Sequence, residues 1–167
     1  MPSAPAAVTG PQPGAVAPVA EGAGLPYAYT PTLARWWWLG CHGGAGVSTL
    51  CQAVPGGTEA GRYWPMVPGT TPAVVLVART SASGLLAAQT AARQWASGSL
   101  PSPVRVLGLV AVADAPGRLP GPLRDLLRLV SGGVPHVWRV PWTEAWRLGA
   151  SAPAPADLAR DLHKLTD

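Results

Sequence analysis

The sequence predicts a three-layer α/β domain built on a mostly parallel sheet, and three observations carry that expectation. Residues 73–79 (AVVLVAR) and 104–113 (VRVLGLVAVA) are continuous apolar runs, the pattern of strands buried on both faces rather than on one. Between such runs the apolar residues change to a helical period, most clearly at Leu123, Leu126, Leu127 and Val130, which fall at i, i+3, i+4 and i+7. A glycine-rich stretch, residues 40–50 (GCHGGAGVSTL), follows an apolar strand and leads into a helix, the setting of a phosphate-binding loop.

Each element follows from local chemistry. Residues 1–32 are dominated by Ala, Pro, Gly and Val with Glu21 as the single charge; prolines remove backbone donors and small side chains offer little to bury, so a disordered tail is expected. Residues 33–167 form the domain. Residues 33–39 are the first strand and residues 47–53 the helix opened by the glycine loop. Residues 54–72 hold Pro55, Gly56, Gly57, Pro65, Pro68, Gly69 and Pro72 and are expected to be irregular. After the strand at 73–79, Ser81 caps a helix running to about Ala96, with Leu85, Ala88, Ala92 and Trp95 on one stripe. Gly108 inside the next strand implies a bulge or a close backbone approach. The helix at residues 122–130 is stopped by Gly132 and Gly133, a short strand covers 136–140, and Pro155 opens a last helix with Leu158, Leu162 and Leu165 in line.

Composition narrows the function classes. A chain of 167 residues supports one domain with a real core. Its 20 Gly, 20 Pro and single lysine, Lys164, among 12 basic residues are the product of GC-rich codons, as in an actinobacterial genome. The net charge of +4 is spread from Arg35 to Arg160 without a run, which gives no support to a nucleic-acid surface. Cys41 and Cys51 form no CxxC and have no histidine at metal-ligand spacing; two unpaired thiols fit a reducing cytoplasm. The N-terminal residues lack the pattern of a signal peptide, so none is expected, and no apolar run reaches the ~20 residues that a membrane helix requires, so no membrane insertion is expected.

The loop carries the chemistry. Glycines let successive backbone N–H groups close on phosphate oxygens, and the following helix adds positive potential. In a standard loop of this type a lysine precedes the hydroxyl residue and neutralises the phosphate as its bonds break; here Val47 holds that place, before Ser48 and Thr49. Gly43, Gly44, Ala45, Gly46, Val47, Ser48 and Thr49 are therefore the candidate phosphate loop.

His42 to Thr49 (HGGAGVST) resembles the deviant Walker A loop of ParA/MinD-type ATPases, Lys-Gly-Gly-x-Gly-Lys-Ser/Thr-Thr. Gly43, Gly44, Gly46, Ser48 and Thr49 match; the two signature lysines correspond to His42 and Val47. More loosely, residues 74–89 look like the strand and helix after the family's Walker B segment, 104–116 like the next strand and its loop near the base, and VWRVPW like the final strand. The resemblance implies a reduced P-loop, Rossmann-like domain, with ATP or ADP and Mg²⁺ as ligands and Ser48 as the hydroxyl that would meet the metal. It also implies that the stretch between the loop and Ala73 is too short for the family's second strand and Walker B strand, so the acid that holds Mg²⁺ through water is missing. A second register makes Asp114, in Asp114-Ala115-Pro116-Gly117, that acid; in the first register it sits in an ordinary turn.

The function expected from the resemblance is a degenerate, non-hydrolysing ParA/MinD-like protein that acts as a binding or regulatory partner, in plasmid maintenance, conjugation or a mobile element. Its partner would be a second copy or a ParA-like relative. Two alternatives stand beside it. One is a nucleotidase whose cation comes from Arg79 or a partner's arginine; the other is a structural protein whose glycine loop is only a turn. Arg79 lies at the carboxyl end of a buried strand, where ligands of α/β sheets bind, and it either restores the missing charge or caps the strand. Trp142 and Trp146, one helical turn apart around Glu144, are either a partner-facing surface or packing residues.

Overall fold

A computed structural model describes residues 8–167. An inner strand of the main sheet, β2 (Trp36–Gly40), is buried along its whole length. It carries three consecutive tryptophans, and the alternation of a strand sends Trp37 to one face and Trp36 and Trp38 to the other. The chain then forms α1 (Val47–Ala53), β3 (Gly57–Gly61), β4 (Trp64–Met66), β5 (Ala73–Arg79), α2 (Ala82–Ala96), β6 (Arg105–Val112), α3 (Gly121–Ser131), β7 (Val137–Val140), α4 (Glu144–Arg147) and α5 (Ala156–Thr166). Ahead of them stands β1 (Tyr27–Tyr29), which pairs with β4 in a separate two-stranded sheet.

The main sheet has the order β3-β2-β5-β6-β7, and every pair in it is parallel. Counted along the chain that is 2-1-3-4-5, a doubly wound order whose direction of travel reverses between β2 and β5. Helices cover both faces. On one, Leu50 of α1 and Leu158 and Leu162 of α5 pack on Trp36, Trp38, Val75, Val77 and Val110. On the other, Leu85, Ala88 and Trp95 of α2 and Leu127 and Val130 of α3 pack on Trp37, Leu39, Val74, Leu76 and Leu109. The protein is thus a three-layer α/β domain, as its apolar runs predict.

Most element boundaries follow the sequence. Ser81 caps α2 by accepting from the Gly84 N–H at 3.1 Å, and Gly132 ends α3. At Gly108 both expected features occur together: the β5–β6 register shifts there, and the His136 backbone carbonyl takes the space where a Cβ would stand, beside the Trp138 ring. One expectation is corrected. Residues 54–72 are not irregular, because β3 and β4 lie within them. The sequence Gly-Thr-Glu-Ala-Gly of β3 has little strand propensity of its own; pairing with β2 imposes the conformation. Gly57 is needed in that strand because the indoles of Trp36 and Trp38 occupy the space of a side chain. The main sheet therefore has a second strand in chain order after all.

Of the segment expected as a tail, residues 1–7 lie outside the described residues. Residues 8–32 run across α2. Val8, Val16 and Leu25 pack against the core on that side, and the Gln12 N–H donates to the Ala96 carbonyl at 2.6 Å. The Gln94 amide bonds both backbone groups of Leu25, accepting at 2.9 Å and donating at 2.8 Å, and also accepts from the Trp64 indole at 2.9 Å. Small residues and prolines explain the shortage of long elements here; the side chain of Gln94 supplies what the segment's own composition does not.

Candidate functional site

The reversal between β2 and β5 opens a crevice at the carboxyl edge of the sheet, the position where open α/β sheets bind ligands. The glycine loop forms one wall. Gly44 and Gly46 have φ of +75° and +105°, conformations that an L side chain resists. Among the described residues, no carbonyl or side chain accepts from the N–H groups of Gly43, Gly44, Gly46, Val47, Ser48 or Thr49. The last three belong to the first turn of α1, where orphan donors are normal; the glycines extend that row of donors back through the loop.

The loop's side chains divide by role. Ala45 is buried with the α1 and α5 side of the core, and Val47 packs against it while standing 3.2 Å from where a Cβ of Gly40 would be. Both are packing residues. Thr49 borders both the cleft and a recess adjoining it, whereas Ser48 is exposed and borders that second recess but not the cleft. Burial of Cys41 pushes its thiol up to about 12, so it offers no thiolate.

His42 and Arg79 tie the loop to β5. The His42 Nε2 accepts from the Arg79 backbone N–H at 3.0 Å, and its Nδ1 lies 2.8 Å from the Gly43 carbonyl. An amide can only donate and a carbonyl only accept, so the bonded ring is neutral with its proton on Nδ1. The Arg79 side chain crosses the crevice: Nε donates to the Gly44 carbonyl at 3.1 Å and Nη1 to the Ala113 carbonyl at 3.2 Å. Nη2 lies 3.6 Å from the Cβ position of Gly46. A guanidinium therefore stands against the glycine loop and bridges it to the chain just after β6. Arg62 adds a second cation, with Nη1 4.0 Å from the Cβ position of Gly43.

Loop and arginine border a cleft of about 420 Å³ whose far side is Pro141, Trp142, Thr143, Trp146 and Arg147, the segment after β7. That size is within the range of small-ligand sites. Asp114 follows β6, is exposed, and donates its backbone N–H to the Thr80 hydroxyl at 3.3 Å. It borders the cleft, but β5 separates β6 from β2, a distance of about 10 Å across two strand spacings. Ser48 and Asp114 line different recesses. Among the described residues no three His, Cys, Asp or Glu side chains gather as metal ligands. Sequence reasoning passed over Ser81, Ser83 and Thr143 as cleft residues; the capping role of Ser81 was legible, but not the direction it faces. No helix among the described residues is long and apolar enough to cross a membrane.

No curated protein and no solved structure matches the chain. One family model does, over residues 34–161, a span that starts just before β2 and ends inside α5, and so takes in the whole main sheet and the cleft. The chain belongs to that family, described as a family of unknown function (DUF6668).

Proposed function

We propose that the chain is a non-hydrolysing, ParA/MinD-like binding protein whose cleft takes the phosphates of a nucleotide. In this reading the loop donors of Gly43 to Thr49 hold phosphate oxygens and Arg79 supplies the charge that His42 and Val47 do not. The liganded state is what a protein partner, a second copy or a ParA-like relative, reads. The observation that carries the proposal is the seat of Arg79, whose guanidinium lies against Gly44 and Gly46 on the cleft side of the loop. Arginine suits this task because its planar fork keeps its charge and matches phosphate oxygens in pairs. Binding without turnover follows from the same arrangement. The cation is anchored to two carbonyls instead of extending along a leaving phosphate, and neither signature lysine is there to neutralise charge as bonds break.

Calorimetric titration of the full chain with ATP, ADP, GTP and GDP, with and without Mg²⁺, tests the reading. Binding is expected below about a millimolar, nearly independent of Mg²⁺. Arg79→Met is expected to weaken it by about 10- to 100-fold, the loss of one charged hydrogen-bonding partner at roughly 1.5–3 kcal/mol. Absence of binding by every nucleotide at millimolar concentration overturns the proposal, as does an Arg79→Met variant that binds as tightly as the parent.

A further inference from the structure

We propose that the protein pairs with a second copy of itself through the outer edge of β1, about a two-fold axis at Ala28. The proposal does not rest on the phosphate reading of the loop. Strand β1 lies outside the span of residues 34–161 that the family model covers, and it pairs with β4 alone. All three of its residues are exposed. Tyr27 and Tyr29 stand edge to face there, with ring centres 6.0 Å apart, and are 50% and 65% exposed. Aromatic side chains beside an open row of backbone groups are what strand addition uses.

The backbone chooses the occupant. The Pro26 carbonyl accepts from the Trp64 N–H at 2.8 Å, and the Thr30 N–H donates to the Met66 carbonyl at 3.0 Å, so residues 26, 28 and 30 turn their groups toward β4. Alternate residues of a paired strand face opposite edges, which turns the N–H and C=O of Tyr27 and Tyr29 outward. The open row ends there on both sides. Leu25 has both of its groups taken by the Gln94 amide, and Pro31 has no N–H. What remains is two donors and two acceptors on a sequence, Tyr-Ala-Tyr, that reads the same in both directions.

Laid antiparallel on itself with Ala28 opposite Ala28, the strand satisfies all of them. Tyr27 of each copy exchanges both bonds with Tyr29 of the other. A register shift of one residue removes these bonds, and a shift of two residues halves them. The alanines meet at the closely spaced, non-bonded position, where Cα atoms stand about 4.5 Å apart and small side chains fit. Each tyrosine lies opposite a tyrosine, a cross-strand pair that adds to the pairing. Charge agrees, since no charged side chain stands between Glu21 and Arg35 and the two-fold brings no like charges together along the seam.

An edge this short makes a weak dimer, with a dissociation constant expected on the order of 100 µM. Sedimentation equilibrium of the full chain without nucleotide, from micromolar to millimolar concentration, should show monomer passing to dimer. Tyr29→Pro keeps the bonds to β4 and removes one outward donor from each copy, so it should weaken the dimer by about tenfold or more. Oxidative cross-linking fixes the register. In a Cys51→Ser background, Ala28→Cys should form a disulfide between copies at least about tenfold faster than Thr32→Cys, because the pairing holds the two Ala28 positions within disulfide reach. The two copies of Thr32, also exposed, stand at opposite ends of the seam. A parent that stays monomeric at millimolar concentration overturns the proposal, and this arm needs no variant to fold. So does a dimer that Tyr29→Pro leaves as tight as before, or equal cross-linking at positions 28 and 32.

Discussion

Replacing His42 by Ala removes the side chain that joins the glycine loop to the end of β5. Two bonds are lost, the one between Nδ1 and the Gly43 carbonyl and the one that Nε2 accepts from the Arg79 N–H. The first is solvent-exposed and sits at the low end of the usual 0.5–1.5 kcal/mol range. The second leaves a partly buried backbone donor without an acceptor, which costs ~1–3 kcal/mol. A loss of about 2 kcal/mol is therefore expected, lowering the melting temperature by ~4–8 °C for a chain of this size. Urea unfolding measures the total, and amide hydrogen exchange localises it: Arg79 should exchange at least tenfold faster while Leu76 and Val77, in the middle of the sheet, do not change. His42→Lys is the sharper variant. Lysine is the residue that ParA/MinD-type loops carry at this position, yet an ammonium group has no acceptor, so His42→Lys should destabilise as much as His42→Ala, and His42→Gln, with an acceptor and a donor, should recover part of the loss. Unchanged Arg79 protection in His42→Ala, or full stability in His42→Lys, refutes the argument.

Two further outcomes follow from the fold. Gln94→Leu removes all three bonds that fasten Leu25 and the buried Trp64 indole, so a loss of ~2–3 kcal/mol is expected, with faster exchange at Leu25 and new cleavage by a chymotrypsin-type protease near Tyr27 and Tyr29; a variant that resists the protease as the parent does would show that the segment is held by other contacts. The Cys41 thiol is raised by burial from 9.0 to about 12, so the folded state keeps a proton that the unfolded state gives up. That contribution is complete below about pH 9 and is lost as pH rises from there toward 12, by about 1.4 kcal/mol per unit; urea titrations between pH 8 and 10.5 should show a steeper decline for the parent than for Cys41→Ala, and parallel profiles would contradict the burial of this thiol.

The parts of this fold that were legible in the sequence are those whose state is decided locally or by total burial. Strand β5 could be read because six of its seven residues are buried and apolar, and α3 because its leucines repeat at the helical period. Strand β3 could not, since two glycines, a threonine and a glutamate become a strand only when β2 is beside them. The loop was visible as a motif, but the cleft was not. It is assembled from the ends of β2, β5, β6 and β7, and the positions of Arg79 and Trp142 relative to the loop depend on the order of strands, which spacing along the chain does not encode. The contacts of residues 8–32 were hidden for a similar reason, because the side chain that holds them belongs to α2.

The shortness of the outer strands has a consequence for how this protein keeps company with itself. A parallel sheet ends in two rows of unpaired amide and carbonyl groups, the usual template for fibre growth. Here those rows are five residues long at β3 and four at β7, and each carries an exposed charge, Glu59 on one and Arg139 on the other. A second copy docking edge to edge would gain few hydrogen bonds and would meet a charged side chain beside each seam, so short length and charge together disfavour extension of the sheet at either end.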